Sequence, residues 1–328
     1  MKLFHSLLYP LLGGLFCLSC SDDEQDSGTK QPTTAGEVTF GVDLTGFSTR
    51  VTQDGSSWND GDKIGTYVLD MKTLEPVTEA ANVPYVCSEE GASVSFTSTT
   101  PLKVQNDGTP VKFVAYYPYN ADVRNFNYPV QLAAQERGST ACDLLYAATK
   151  EEYTYSPENE PHISLNFTHR LAKVILKFVN MEKEPLEVSD VRIEGMQTAA
   201  SFNIQTDVLT VDESSVATIN PYHNATTGFY EAIILPSALT DSYKVSFVLD
   251  DREKEWIFTN LDIALPQFHK GYSYTFALYI DDSGFVEMGR LENVEGGNSS
   301  APWEDGSSED GTAEGDKTPV SGSVSYTH

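Results

Sequence analysis

From residue 38 to residue 280 the apolar side chains recur mainly at every second position. Val38, Phe40, Val42 and Leu44 alternate with small or polar residues, and Ile163, Leu165 and Phe167 repeat the pattern. Tyr243, Val245, Phe247 and Leu249 continue it, and Tyr272, Tyr274, Phe276, Leu278 and Ile280 give the cleanest run. A period of two places one face of a strand on a core and the other in solvent, as in antiparallel sheets. Turn clusters separate the runs: Gln53-Asp54-Gly55-Ser56, Asn106-Asp107-Gly108 and Asp281-Asp282-Ser283-Gly284. No long stretch keeps a helical period; a short helix over Val130 to Glu136 is the one helical expectation. Short strands with such punctuation predict an all-β chain built of β-sandwiches rather than βαβ units. A boundary is expected near Thr168, with one sandwich over 38–168 and a second over 169–286, each of ordinary domain size. Residues 287–328 form an acidic tail of low complexity: nine carboxylates against Arg290 and Lys317, with Trp303 the one large apolar anchor from Asn298 onward. Its last two dozen residues are expected to be disordered.

The ends of the chain change the picture. Lys2 precedes an apolar run from Leu3 to Leu18, broken by Pro10 and Gly13-Gly14. That run is shorter than the ~20 residues a membrane span requires and reads as a secretory signal. It closes on Cys17-Leu18-Ser19-Cys20, followed by Ser21-Asp22-Asp23-Glu24. The arrangement resembles a bacterial lipoprotein signal over 1–19, with Cys20 acylated as the mature N-terminus; the residue three before Cys20 is Cys17 where Leu is usual. The acidic residues after Cys20 resemble the signal that sends such proteins to the outer face of the outer membrane. Ordinary secretion with cleavage near Ser19 is the alternative. More than one acyl chain gives lasting attachment, at about 0.8 kcal/mol per buried methylene. Residues 20–37 are polar and read as a flexible tether.

With 21 basic and 48 acidic residues the net charge is −27. A surface of that sign repels phosphates, which excludes nucleic acid as a partner and leaves the lipid as the route to a membrane. Four cysteines in 328 residues do not make a disulfide scaffold. Export permits a bond between Cys87 and Cys142, and both can equally be buried free thiols.

Five segments, in order, carry a family resemblance. They are Phe47-Ser48-Thr49-Arg50 with Trp58-Asn59-Asp60-Gly61-Asp62-Lys63-Ile64-Gly65-Thr66-Tyr67; Val111 to Tyr119; Asp143-Leu144-Leu145-Tyr146-Ala147; Leu165 to Val174, which contains Thr168-His169-Arg170; and Leu235-Pro236 with Lys270-Gly271-Tyr272-Ser273-Tyr274. Together they resemble the fimbrillin family, the fimbrial subunits, anchors and tips of Bacteroidota-type bacteria, and the minor-fimbria-like branch most. The resemblance implies two tandem transthyretin-like β-sandwich domains, export as a surface lipoprotein, and work in fimbriae or adhesion with other subunits or surface receptors as partners. It also implies assembly by strand exchange after an Arg-specific cut. Arg50 is the candidate cut site, and Val38, Phe40, Val42 and Leu44 would line the freed strand; alternatively Arg50 only ends a strand in solvent. The tail offers a poor donor strand, with Val320, Val324 and Tyr326 alternating loosely, so an anchor, tip or accessory subunit fits better than a stalk pilin. On their own physics Trp58 and Tyr67 flank a turn, and Tyr116, Tyr117 and Tyr119 read as edge-strand aromatics.

Signals for chemistry are weak. His162, His169, His223 and His269 lack zinc-ligand spacing, and no nucleophile elbow, P-loop or dinucleotide fingerprint is present. Asp54, Asp60 and Asp62, and Asp305, Asp310 and Asp316, do not have calcium-loop spacing and read as solvated loop charge. No cofactor, metal or catalytic residue is expected. The rival to the adhesive reading is a glycan-binding surface lipoprotein, with Tyr116, Tyr117, Tyr119, Tyr153 and Tyr155 as a sugar platform if exposed.

Overall fold

The computed structural model describes residues 35–43, 57–77, 81–91, 93–135, 138–181, 186–249, 252–257, 267–281, 286–290 and 304–305. These residues form strands and one 3₁₀ turn, Ser139–Cys142. The early strands are β1 (Ala35–Glu37), β2 (Thr39–Asp43), β3 (Lys63–Asp70), β4 (Val83–Cys87), β5 (Ser93–Thr97) and β6 (Lys103–Gln105). They continue with β7 (Val111–Tyr117), β8 (Asn127–Gln131), β9 (Leu145–Ala148), β10 (His162–Leu165) and β11 (Thr168–His169). Next come β12 (Ala172–Asn180), β13 (Val188–Gln197), β14 (Ala199–Asn203), β15 (Val208–Val211), β16 (Val216–Ile219), β17 (Tyr222–Asn224) and β18 (Phe229–Ile234). The last are β19 (Ser237–Ala238), β20 (Lys244–Leu249), β21 (Arg252–Ile257), β22 (Gln267–Phe268), β23 (Tyr272–Ile280), β24 (Val286–Arg290) and β25 (Glu304–Asp305).

The first half is built on an eight-stranded sheet in the order β10-β2-β5-β4-β3-β7-β9-β11, with β1 and β6 paired beside it. It curls over its own core. Phe40 on β2 meets the ring of Phe113 on β7 at 5.8 Å although β5, β4 and β3 separate the two strands in the sheet. In the second half two sheets face each other, β17-β18-β12-β23-β24 and β16-β13-β20-β21. Val174, Leu176, Phe276 and Leu278 of the first interdigitate with Ile193, Val245 and Phe247 of the second, so the arrangement is a sandwich.

A third core lies between these two. It joins Leu69, Val114, Tyr116 and Tyr146 of the curled sheet to Phe202, Ile233 and Leu235 of the second half. Strands β3, β7 and β9 are therefore covered on both faces. Along β7, Val111, Phe113 and Ala115 point into the first core while Val114 and Tyr116 point into the third. That is why Val111-Lys112-Phe113-Val114-Ala115-Tyr116-Tyr117 is a nearly unbroken apolar run where a half-buried strand would alternate.

Backbone pairing also crosses between the halves. Strand β8 lies in a three-stranded sheet, β15-β14-β8, with residues more than sixty positions later in the chain, Phe202 opposite Tyr128. Gln135 adds a side-chain rung: its amide nitrogen donates to Ile233 O and its oxygen accepts from Ile233 N, both at 2.7 Å.

One expectation is corrected here. The helix expected over Val130 to Glu136 is absent among the described residues: Val130 and Gln131 belong to β8, because β14 offers a backbone partner that outweighs a weak local preference. The start of the acidic tail adds pairing to the second half. Strand β24 pairs with β23 from Val286 to Arg290, and Glu304–Asp305 add a second short pairing. Those contacts are made by the backbone, which needs no apolar side chains, so composition did not announce them.

Candidate functional site

The segment 35–43 is the candidate. It is two short strands separated by Val38, with β1 paired to β6 and β2 inserted between β5 and β10. The pairing to β5 is antiparallel, with Phe40 opposite Phe96 and Val42 opposite Val94. The pairing to β10 is parallel, with Thr39 opposite His162 and Val42 opposite Leu165. Alternate residues fill the core as the sequence pattern predicts: Val38 and Phe40 are 0% exposed and Val42 is 2% exposed. The ring of Phe40 stands edge-on to Tyr85 at 4.8 Å. Burying three such side chains contributes about 1.5–3 kcal/mol each.

Tyr85 braces this segment from beneath, a role the sequence did not suggest. Its hydroxyl donates to Val38 O at 3.0 Å and accepts from Leu102 N at 2.8 Å. Val38 N in turn donates to Leu102 O at 2.9 Å. The phenol thus completes the backbone pairing where the chain steps from one sheet to the other. Burial pushes its pKa up to about 12, against a smaller opposing pull from the Leu102 N–H. The only sequence signal for Tyr85 was its place in the alternating run Val83-Pro84-Tyr85-Val86-Cys87.

Two glycines of the segment lie close under neighbouring side chains. A Cβ at Gly36 would collide with the Tyr155 ring and Pro161, and one at Gly41 would lie 2.6 Å from His162 Nε2. Thr39 fixes the His162 ring through a 3.0 Å contact between Oγ1 and Nδ1. Glycine at these two positions permits the close approach of the flanking side chains.

The family-like segments meet one another. Trp58 is 0% exposed and packs edge-on against Phe96, Tyr117 and Phe167 at 5.1–5.5 Å. The turn after it holds Gly61 at φ 87°. Asp62 closes that turn: its carboxylate accepts from Asn59 N at 2.7 Å and from the Tyr117 hydroxyl at 3.3 Å. Burial raises the Asp62 pKa, against these hydrogen bonds. Burial, and then the nearby Asp62 charge, hold the Tyr117 phenol well above its usual range. Asp143 and His169 form a buried pair at 2.8 Å. Arg170 donates to both carboxylate oxygens of Asp207 (3.0 Å from Nη2 to Oδ2) and lies 4.8 Å from the centre of the Tyr146 ring. These motif residues knit the first half to the hairpin of β14 and β15.

The tyrosine reading is corrected by this geometry. Strand β7 is interior to its sheet, so Tyr116 and Tyr117 are not edge-strand aromatics. Tyr116 is 0% exposed and donates to Asn82 Oδ1 at 2.6 Å, while Tyr117 is tied to Asp62 and Trp58. Tyr119 packs on the third core, and Tyr153 and Tyr155 on the first. The five rings do not form a platform, because their faces are spent on different cores. Cys87 and Cys142 are both free, with Cys87 Sγ 2.8 Å from Glu89 O and its thiol pKa raised by burial. Asp60 lies exposed in the turn that Asp62 closes, and among the described residues no group of three or more His, Cys, Asp or Glu is placed to hold a metal ion. No helix among the described residues is long and apolar enough to cross a membrane. Cys20, Leu44, Arg50, Asp54, Asp310, Asp316 and the Val320, Val324, Tyr326 series lie outside the described residues, and only the backbone of Asp305 is described.

Comparison with known proteins places this geometry in a family. Among solved structures, a Bacteroides uniformis protein described as a candidate cell-adhesion protein superposes with a TM-score of 0.64 at 23% identity, over 80% of this chain and 98% of its own. A Bacteroides ovatus protein of the same description gives 0.60 at 15% identity, over 80% and 97%. One from Bacteroides fragilis gives 0.53 at 14% identity, over 79% and 99%. At such identities the likeness establishes the fold. A search of proteins with curated functions finds no significant sequence match. Residues 49–303, well over half the chain, match the family described as fimbrillin-like, and the chain belongs to that family.

Proposed function

We propose that this fimbrillin-like chain works at the cell surface in fimbrial assembly or adhesion, binding other subunits or surface receptors and catalysing no reaction. In this reading Cys20 carries the lipid that holds it on the outer membrane, and residues 20–37 lead from the lipid to two transthyretin-like sandwich domains, 38–168 and 169–286. An anchor, tip or accessory position suits it better than the stalk. Solved relatives described as cell-adhesion proteins support the adhesive reading.

One observation carries the mechanism. Segment 35–43 supplies alternate core residues between β5, which keeps its pairing to β4, and β10, which follows β2 at the end of the sheet. Its departure would leave a groove bordered by the free edges of β5 and β10, with pockets sized for Val38, Phe40 and Val42. Backbone hydrogen bonds to both edges would give an incoming strand its affinity, and the alternate pockets its specificity. The buried side chains make simple loss costly, so a cut alone does not empty the groove; a second strand must replace the first as it leaves. Arg50, shortly after β2, is the point at which a cut would free it.

The test is treatment of the purified precursor with an Arg-specific protease. Cleavage after Arg50 followed by oligomers that require the departing strand is the expected result. A protein that stays uncut at Arg50, or is cut and stays monomeric beside its partners, would remove strand exchange as the mode of assembly. Labelled palmitate incorporated at Cys20 and lost in Cys20→Ala checks the anchor separately.

A further inference from the structure

The hairpin that links the halves leaves an edge without a strand partner among the described residues. Thr198 alone separates β13 from β14, and Asp212 to Ser215 separate β15 from β16. Since β13 pairs with β16 and β14 with β15, residues 188–219 make one long bent hairpin. Its outer strand is terminal in both sheets it visits: β15 ends the sheet β15-β14-β8, and β16 ends β16-β13-β20-β21. Among the described residues three large apolar side chains are exposed, Met181, Val208 at 50% and Val216 at 54%. Two of the three therefore stand on this edge.

Edges are ordinarily blunted by Lys, Pro, bulges or covering loops. Here the device is local. Ser215 builds an irregularity between β15 and β16: its hydroxyl donates to Asp212 O at 2.6 Å and accepts from Ala199 N at 3.0 Å, while Thr198 Oγ1 donates to Ser215 O at 2.8 Å. The stretch Val208-Leu209-Thr210-Val211 before it has no Lys, no Pro and no bulge of its own. Beyond β16 the edge is closed, because Asn220 bridges to Ala134 and Pro221 follows.

The charge around the edge selects the occupant. Between Arg192 and Lys244 there is no Lys or Arg, and there are six acids: Glu194, Asp207, Asp212, Glu213, Glu231 and Asp241. Arg170 answers Asp207, and Lys173 answers Glu231. Asp212 and Glu213, at the C-terminal end of β15, are exposed and, among the described residues, have no cation against them. The Ser214 hydroxyl and N–H both donate to the Asp212 carboxylate, at 2.6 and 3.0 Å, and hold it below the usual range. A second copy is the wrong occupant: antiparallel pairing of Val208–Val211 with itself would set Asp207 against Asp212, and like charges opposed across strands destabilise a pair.

We infer that β15 is a docking edge for an extended segment of a partner protein, one with alternating β-branched apolar residues and Lys or Arg at its flanks, added as a further strand beyond Val208–Val211. Backbone groups on the free side of β15 supply the ladder, the exposed faces of Val208 and Thr210 supply the apolar contact, and the flanking cations meet Asp212 and Glu213. The inference does not depend on release of segment 35–43.

The experiment uses the full chain and two labelled nonapeptides, each alternating threonine and valine, one with lysine pairs at both ends and one with glutamate pairs. Fluorescence anisotropy should show the lysine-flanked peptide binding at least tenfold more tightly, with the preference weakening as salt rises. The double variant Val208→Lys with Thr210→Lys should lose at least tenfold in affinity while its melting curve and β-sheet dichroism stay unchanged. Val216→Lys, on β16, should bind within twofold of the parent. Equal binding of the two peptides, retained affinity in the double variant, or loss in Val216→Lys alone would overturn the assignment. So would concentration-dependent self-association that the double variant abolishes, since a second copy would then be the occupant.

Discussion

Strands β2 and β15 are nearly equal in length, both are paired antiparallel to a neighbour, and both are rich in β-branched residues, yet they stand in opposite conditions. Strand β2 has a neighbour on each side and puts Phe40 and Val42 into a closed core. Among the described residues strand β15 has one neighbour; it exposes half of Val208 and turns only Leu209 and Val211 toward the third core. The difference teaches that alternation alone does not decide a strand's role. A strand with two partners and filled pockets is costly to remove, which is why its release is proposed to require a replacing strand; a strand with one partner and an open face offers the proposed docking edge without loss of its own pairing.

The broadest way to break the comparison is alkaline pH. Tyr85, which braces β2, has a folded pKa pushed up to about 12 by burial, and Tyr67, Tyr128 and Tyr146 are raised to about the same value by the same cause. A phenol with a raised folded pKa binds its proton longer in the folded state than in the unfolded chain. Stability is therefore full below the unfolded value near 10 and falls as pH rises toward 12. Urea titrations between pH 9 and 12 should show the midpoint falling, with the 295 nm absorbance of these tyrosines appearing only with unfolding. Early ionisation in a protein that stays folded would contradict the bracing role.

Phe40→Ala comes next, with a loss of about 3–5 kcal/mol because its ring is enclosed against Tyr85 and Phe113. Arg170→Ala should lose about 1.5–3 kcal/mol, since two hydrogen bonds to the Asp207 carboxylate disappear; hydrogen exchange should quicken in β14 and β15 and remain slow in β2. Tyr85→Phe leaves Val38 O and Leu102 N unpaired and should cost about 1–3 kcal/mol, with faster exchange confined to β1, β2 and β6. Val208→Thr should change stability by less than about 0.5 kcal/mol. If Phe40→Ala proves as mild as Val208→Thr, the contrast between a held strand and an open one fails.

Much of this fold was legible in the sequence. The runs from Val38, Ile163, Tyr243 and Tyr272 are strands with the expected faces buried, and Gly61 takes the positive φ its turn requires. What could not be read arises from contacts between residues distant in the chain. Tyr116 looked like an edge aromatic because nothing local reveals that β9 covers one side of β7 and β3 the other. The strand at Val130 depends on β14, about seventy residues later, and β24 depends on a backbone edge offered by β23. At the site, the alternation of Val38, Phe40 and Val42 announced the inserted strand; the Tyr85 brace and the glycine approaches of Tyr155 and His162 did not show, since both are juxtapositions that only folding creates.

The central claim is that segment 35–43 fills a groove another strand can enter, and one measurement tests it most directly. Protein cut after Arg50 is mixed with a fluorescent peptide copying residues 35–44, and incorporation is followed by gel filtration and native mass spectrometry. The account predicts slow, stoichiometric uptake with loss of the original segment, and no uptake when the peptide carries alanine in place of Phe40. A cut protein that keeps its own strand and takes up neither peptide, or both alike, would contradict it.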